Sequence, residues 1–247
     1  MRIAALNDIH GNLPALEAVL TEVAAAGVDR IVVGGDIAAG PMPAATLDLL
    51  LGLGGRVAAL HGNADRELVA VFDGAAPDAR IPEAWRETVR WTARSLGRRH
   101  RDYLAGLPPT LTFAVDGVGE VLFCHATPRS DVEIFTEAST DERVAPMFAG
   151  VRSDLVVCGH THMQFDRRIG DVRVVNAGSV GMPYGAPGAS WLLLGPAVEL
   201  RRTDYDLERA AALIRATDYP MAERFAADNV LRPASAAEAQ AAFEPPP

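Results

Sequence analysis

The chemistry of this sequence lies in short polar clusters, each set directly behind an apolar run. Ile3 to Leu6 is followed by Asn7-Asp8-Ile9-His10-Gly11-Asn12, Arg30 to Val33 by Gly34-Gly35-Asp36, and Arg56 to Leu60 by His61-Gly62-Asn63-Ala64-Asp65. Further along, Glu120 to Cys124 leads into His125, and Leu155 to Cys158 into Gly159-His160-Thr161-His162. Asp8, His10, Asp36, Asn63, His125, His160 and His162 together offer imidazole nitrogen and carboxylate or amide oxygen, with no thiolate. That mixture suits Mn²⁺, Fe, Zn²⁺ or Ni²⁺ better than a Ca²⁺ cage or a structural zinc site. Seven donors exceed the need of one tetrahedral ion. With one carboxylate bridging, two ions about 3.5–4 Å apart would clamp the attacking and leaving oxygens of an in-line displacement at phosphorus. Any one of these motifs alone reads equally well as a capped turn or a satisfied buried histidine. Their joint order is the signal, because four of the six histidines belong to the donor set.

Such clusters converge only if the runs before them are strands lying side by side, with ligands collected at the strands' carboxyl ends. The runs Ile3–Leu6, Arg30–Val33, Arg56–Leu60, Leu111–Val115, Glu120–Cys124, Leu155–Cys158, Val172–Val175, Trp191–Leu194 and Val198–Arg202 are short and rich in apolar and β-branched residues, as strands should be. Asp116-Gly117 and Gly170-Asp171 are hairpin turn pairs. Helical spacing between the runs, beginning near Pro14 and ending before Gly27, then over 44–51, 82–96, 98–105, 141–148 and 206–216, argues an α/β domain. Trp85, Val89, Thr92 and Leu96 fall on one helical face, which reads as packing in preference to substrate binding. Cys124 and Cys158 read as core thiols. His100, amid Arg98 to Arg101, reads as part of a solvated helix face. No linker or repeat divides the chain, so residues 1–232 are expected to form one domain and 233–247, rich in Ala, Glu and Pro, a disordered tail.

Composition narrows the function further. The chain has 247 residues, is 49% hydrophobic, and carries 23 basic against 32 acidic groups, for a net charge of −9. Every basic residue is arginine. Without lysine there is no P-loop, no Schiff base and no Ser-x-x-Lys hydrolase. The acidic balance argues against nucleic acid as a partner, since that affinity comes from neutralising phosphates. No run reaches the roughly 18 apolar residues of a membrane span, and no signal peptide is visible. Two cysteines are too few for a disulfide framework, so a cytoplasmic protein is expected.

Asp8-x-His10, Gly35-Asp36, Gly62-Asn63, His125 and Gly159-His160-Thr161-His162, taken in order, resemble the five motifs of the calcineurin-like metallophosphoesterases, in the branch of small one-domain bacterial and archaeal members. Asn176-Ala177-Gly178-Ser179-Val180-Gly181 also resembles a stretch of that branch, and the likeness runs over roughly residues 1 to 205. The resemblance implies a four-layer α/β/β/α sandwich of two mixed β-sheets with two divalent transition-metal ions at one edge, Mn²⁺ first among the candidates. It also implies that Asp8, His10 and His162 hold one ion and Asn63, His125 and His160 the other, with Asp36 bridging. Two divalent ions set against Asp8, Asp36 and a bridging hydroxide leave one positive charge to attract a phosphoryl group. The implied reaction is direct attack of that hydroxide on a phosphomonoester or phosphodiester of a small phosphorylated substrate.

The sequence departs from the family at the third motif. Many members have Arg-Gly-Asn-His there, the Arg holding phosphate and the His assisting the leaving group, whereas this chain has His61-Gly62-Asn63-Ala64-Asp65. His61 is then a candidate phosphate contact and Asp65 either a catalytic residue or a helix cap. Leaving-group protonation is expected to be weak, which favours diesters with good leaving groups. Arg129 is a second candidate phosphate contact. Two other readings remain. One is a serine hydrolase built on Ser179, although Pro183 and Gly185 stand where the helix after a nucleophile elbow should begin. The other is a noncatalytic metal-binding scaffold of the same fold. Oligomeric state is not readable.

Overall fold

The first apolar run forms strand β1 (Ile3–Leu6), whose alternation sets the layering: Ile3 and Ala5 point into one apolar layer, Ala4 and Leu6 into another. The computed structural model describes residues 1–244. After β1 come α1 (Leu13–Ala25), β2 (Arg30–Val33), α2 (Pro43–Gly52), β3 (Val57–Ala59), α3 (Asn63–Phe72), α4 (Glu83–Arg94) and α5 (Arg98–Ala105). The middle of the chain gives β4 (Thr110–Val115), β5 (Gly119–Cys124), α6 (Asp141–Val144), β6 (Leu155–Cys158), β7 (Phe165–Ile169) and β8 (Val172–Asn176). It closes with β9 (Ala189–Leu194), β10 (Val198–Thr203), α7 (Leu207–Arg215), α8 (Ala222–Phe225) and α9 (Ala236–Phe243).

Two mixed sheets result, in the orders β10-β9-β1-β2-β3 and β4-β5-β6-β8-β7. In the first, β1, β2 and β3 run parallel; in the second, β5, β6 and β8 do. The inner faces meet in a layer of Ile3, Ala5, Val32, Leu192 and Leu194 against Val121, Phe123, Leu155, Val157 and Val175. Outside the first sheet, Leu16, Val19 and Val23 of α1 and Leu47 and Leu50 of α2 pack over Ala4, Leu6, Ile31 and Val33. Outside the second, Phe135, Val144 and Phe148 cover Cys124, Val156, Cys158 and Val174. This is the expected α/β sandwich of two mixed sheets.

Several boundaries follow from local chemistry. Asn12 Oδ1 accepts from the Ala15 amide to start α1, and Gly27, at φ +65°, follows its end. The helical stretch 141–148 tightens from α6 into a 3₁₀ turn over Ala145–Phe148, where Pro146 cannot donate an amide to the α-helical ladder. His100 is buried rather than solvated. One ring nitrogen accepts from the Gly97 amide at the start of α5, and Nε2 lies 3.0 Å from Asp48 Oδ1 of α2.

The expected disordered tail is the clearest difference. Ser235 caps α9 by accepting from the Glu238 amide, and Glu238 returns a bond to the Ser235 amide. Glu244 accepts from Thr136, Ser139 and Arg143, about a hundred residues earlier in sequence. Low apolar content argued for disorder, but a capping box and one ion pair hold this segment down. Residues 245–247 of the expected tail lie outside the described residues. No helix among the described residues is long and apolar enough to cross a membrane.

Candidate metal centre

The parallel strands β1, β2 and β3 point their carboxyl ends to the same edge as β5 and β6, and the polar clusters converge there. Asp8, His10 and His162 form one group whose donor atoms all lie within 4.8 Å of one another; Asp36, His125 and His160 form a second. Asn63 joins the second, its Oδ1 3.1 Å from His125 Nε2. Asp36 Oδ2 stands between the groups, 3.9 Å from His10 Nε2 and 3.5 Å from His125 Nε2, while its other oxygen accepts from the Ala64 amide at 2.9 Å. All seven sequence-derived donors therefore come together.

The polar accounting at this edge is that of a cation site. His10 Nδ1 faces the Ala39 carbonyl at 3.2 Å and His162 Nδ1 the Met182 carbonyl at 2.9 Å. Each carbonyl fixes the proton on the outer nitrogen, so the two Nε2 lone pairs confront each other at 3.2 Å. Asp8 Oδ1 is buried beside them without a hydrogen-bond partner, 3.4 Å from His162 Nε2, while Oδ2 accepts from the His160 amide. Two facing lone pairs and an orphaned carboxylate oxygen repel unless a cation sits among them.

In the second group, His125 Nδ1 donates to the Gly34 carbonyl at 2.9 Å, and Nε2 lies 3.2 Å from His160 Nδ1. Burial alone would lower the pKa of His125, but Asp36 and Asp8 outweigh it and raise it to about 10. Burial, then the neighbouring His125, lowers His160 to about 4. The carboxylates thus call for positive charge here, and a divalent cation meets that call more fully than one proton. The donor set fits the ions expected from the sequence.

The backbone carries the same signature. Among the described residues, the non-glycine residues at positive φ are Asp8, His10, Asp36, His160 and His162, at +48° to +67°, and every one is a metal-ligand candidate. This left-handed region is costly for L-residues and is held only where surroundings enforce it. Gly62 and Gly159 supply that enforcement by close approach. A Cβ on Gly62 would lie 2.1 Å from Asp36 Oδ1, and one on Gly159 2.2 Å from Asp8 Oδ2.

Asp65, a candidate for catalysis or for a cap, has the geometry of a cap. It is fully buried; its oxygens accept from the Ile37 amide (2.9 Å) and the Gly62 amide (3.0 Å), tying the Asp36 loop to the start of α3. With both oxygens so placed it touches no open space. His61 instead faces a polar cleft shared with His125, Arg66 and Asp131; its Nδ1 has no hydrogen-bond partner and lies 3.6 Å from Asp131 Oδ2. Arg129 lines that cleft but is held by Glu133 and the Pro146 carbonyl, so its guanidinium is not free for phosphate. Ser179 is buried, donating to the Asp8 carbonyl and accepting from the Met182 amide, with no base beside it. It clamps a loop and is no nucleophile. Asn176 does similar work, donating to the Gly159 carbonyl at 2.7 Å and to Thr161.

Sequence reasoning missed one wall of the site. Trp85, Val89 and Thr92, read as a packing face, line a chamber with Tyr219 and Phe225 that opens onto His10 and Asn63. Leu96 of that face lies outside the chamber and packs with the core. Nothing in the spacing separates a chamber wall from a core face, since both are apolar stripes.

Fold and donor set together define a metal-binding α/β sandwich whose ligands come from the carboxyl ends of strands in both sheets. Residues 1–195 match the Calcineurin-like phosphoesterase superfamily domain, and the chain belongs to that family. It is 28% identical over 233 residues to an uncharacterized protein of Methanocaldococcus jannaschii, covering 84% of this chain and 89% of that one. Among solved structures it is similar to a metallophosphoesterase from Sphaerobacter thermophilus, with TM-score 0.71, 27% identity, and 92% and 98% of the two chains covered. A hypothetical protein from Pyrococcus horikoshii shares the fold at TM-score 0.77 and 20% identity, over 91% and 97% of the chains.

Proposed function

We propose that this chain is a dinuclear metal-dependent phosphoesterase acting on phosphomonoesters or phosphodiesters. The observation that carries the reading is the facing pair of donor groups, with Asp36 Oδ2 between them and Asp8 Oδ1 left without a partner. Asp8, His10 and His162 would hold one ion, Asn63, His125 and His160 the other, and Asp36 would bridge. When bound, the ions supply Lewis acidity to phosphoryl oxygens and make water acidic enough to act as a nucleophile near neutral pH. The chain's own part is positioning. The carbonyls of Gly34, Ala39 and Met182 hold three imidazole rings in register, and Asp65 fixes the Asp36 loop against α3. The two free, buried cysteines accord with a reducing compartment.

Ala64 stands where the family's assisting histidine would follow Asn63, and His61, in the cleft with Asp131, would contact phosphate rather than the leaving group. The leaving group therefore departs with little proton donation, forgoing help typically worth about 10²- to 10⁴-fold. The test is elemental analysis of the purified protein, with hydrolysis of p-nitrophenyl phosphate and its bis ester before and after chelation, then across aryl esters of graded leaving-group pKa. We expect about two metals per chain, activity removed by chelator and restored by Mn²⁺, and a rate falling steeply as leaving-group pKa rises. Protein that holds metal but turns over no phosphoester would instead be the metal-binding scaffold, and protein that takes up no transition metal when supplied would overturn the seven-donor reading. A flat dependence with chemistry rate-limiting would mean that a proton donor is present after all.

A further inference from the structure

Beside the metal centre lies a cavity of about 220 Å³ whose character contrasts with it. His10 and Asn63 form its inner end, so whatever fills it has its other end at the donors. Away from them the lining is mainly apolar and aromatic, with Trp85 and Val89 from α4, Tyr219 and Phe225 from the C-terminal helical region, and Ile81 and Met182, and with Thr88 and Thr92 of α4 adding hydroxyls. The aromatic side is braced: Tyr219 meets Phe225 and Trp91 edge-on, and the Arg224 guanidinium lies 4.9 Å from the Trp85 ring centroid. Glu67 is the one carboxylate in the lining, and no arginine is among the residues that form it.

A phosphoryl group has no cation to meet inside this chamber, and an anionic extension would face Glu67. An apolar cavity of about 150 Å³ accepts benzene, so this one has room for a six-membered ring with substituents. We propose that the chamber receives the uncharged aromatic group of a phosphate ester whose phosphoryl group lies at the donor cluster, making this chain selective for aromatic over small alkyl esters. The assignment rests on the phosphoesterase reading above and adds the organic part of the substrate to it. Met182 links the two regions, since its side chain lines the chamber while its carbonyl holds His162.

The test uses phosphonates, which are not hydrolysed, so leaving-group reactivity plays no part. Methyl-, cyclohexylmethyl- and benzylphosphonate are titrated calorimetrically into protein loaded with Mn²⁺ or Zn²⁺, with metal content measured in the same sample. We expect benzylphosphonate to bind about 30-fold more tightly than methylphosphonate and about threefold more tightly than its saturated analogue. Trp85→Ala, at a half-buried position, and Val89→Trp, which fills the chamber, should each shrink the benzyl-to-methyl ratio severalfold. Equal binding of benzyl and methyl ligands overturns the chamber assignment and leaves the phosphoesterase reading standing, because both ligands still engage the metals. A saturated ring that matches benzyl overturns the aromatic preference. Failure of all three to bind metal-loaded protein overturns both readings, and the wild-type ratio decides the matter even if a variant does not fold.

Discussion

Two walls meet at this site and are built by opposite means. The metal-facing wall comes from strand ends, where five left-handed ligands, close glycine contacts and buried carbonyl anchors fix each donor. The opposite wall comes from α4 and the segment after α7, side chains that touch mainly by apolar and edge-on aromatic contact, with a bond between Tyr219 and Thr88 as their polar link. The first tolerates almost no change of shape, because its groups are placed by backbone. The second can be repacked, since apolar surfaces of similar volume substitute for one another at modest cost. On the proposed reading, chemistry would be held on the rigid wall and selectivity on the adaptable one.

The contrast is sharpest at Gly159. Gly159→Ala would drive a methyl group to 2.2 Å from Asp8 Oδ2, and the backbone of the ligand loop must move to admit it. We expect loss of bound metal and a fall in activity of about 10²-fold or more, since small misplacements at a reacting centre cost that much. An alanine there that leaves metal content and rate unchanged would show the metal-facing wall to be as forgiving as the helical one. Asp65→Asn comes next. An amide nitrogen would then face the Ile37 or Gly62 amide, so the variant should lose about 1–3 kcal/mol of stability in denaturant melts. Its rate should still show the wild-type dependence on leaving-group pKa, as a positioning residue requires; a changed dependence would return Asp65 to the chemistry.

The smallest effect belongs to the far side of the helical wall. Phe243 of α9 packs edge-on against Tyr184, which stacks on His162, and Glu244 pins the end of this segment. Burial would raise the Glu244 pKa, but bonds from Ser139 and Thr136 and the Arg143 charge hold it below the ordinary value. A carboxyl whose folded pKa is depressed contributes stability in full above its unfolded pKa, about 4.3, and loses it as pH falls through the lower folded value. Protection of the α9 amides, taken relative to their intrinsic exchange at each pH, should therefore fall as pH drops from about 5 to 3 while the central strands stay protected, and Glu244→Gln should remove that dependence.

This division also explains what could be read from the chain. Each named strand run forms a strand, because a four-residue stretch such as Leu155–Cys158 with both faces buried must be apolar throughout. The seven donors were legible because each follows such a run directly. β7 escaped naming, since Asp166 and Arg168 face outward on an edge strand and Arg167, between Phe165 and Ile169 on the other face, donates to the Thr136, Glu137 and Ser139 carbonyls, so polar residues break the apolar run, although its turn at Gly170-Asp171 was visible. The chamber was illegible for a different reason. Trp85 and Tyr219 are far apart in sequence and share a wall only through tertiary packing, and an apolar helix face looks the same whether it meets a core or a cavity. The helix α9 was hidden by composition, its hold depending on Ser235, Glu238 and Glu244 rather than on buried area.

The left-handed ligands carry an evolutionary consequence. At Asp8, His10, Asp36, His160 and His162 glycine would sit in the same backbone conformation without the steric cost, about 1–2 kcal/mol per residue. Glycine there would relieve that backbone cost but give up the buried bonds these side chains make, such as those Asp8 and Asp36 accept from the His160 and Ala64 amides. A chain that places five candidate ligands there carries a backbone cost that a bound cation would offset, and drift to glycine would lose the centre rather than the fold.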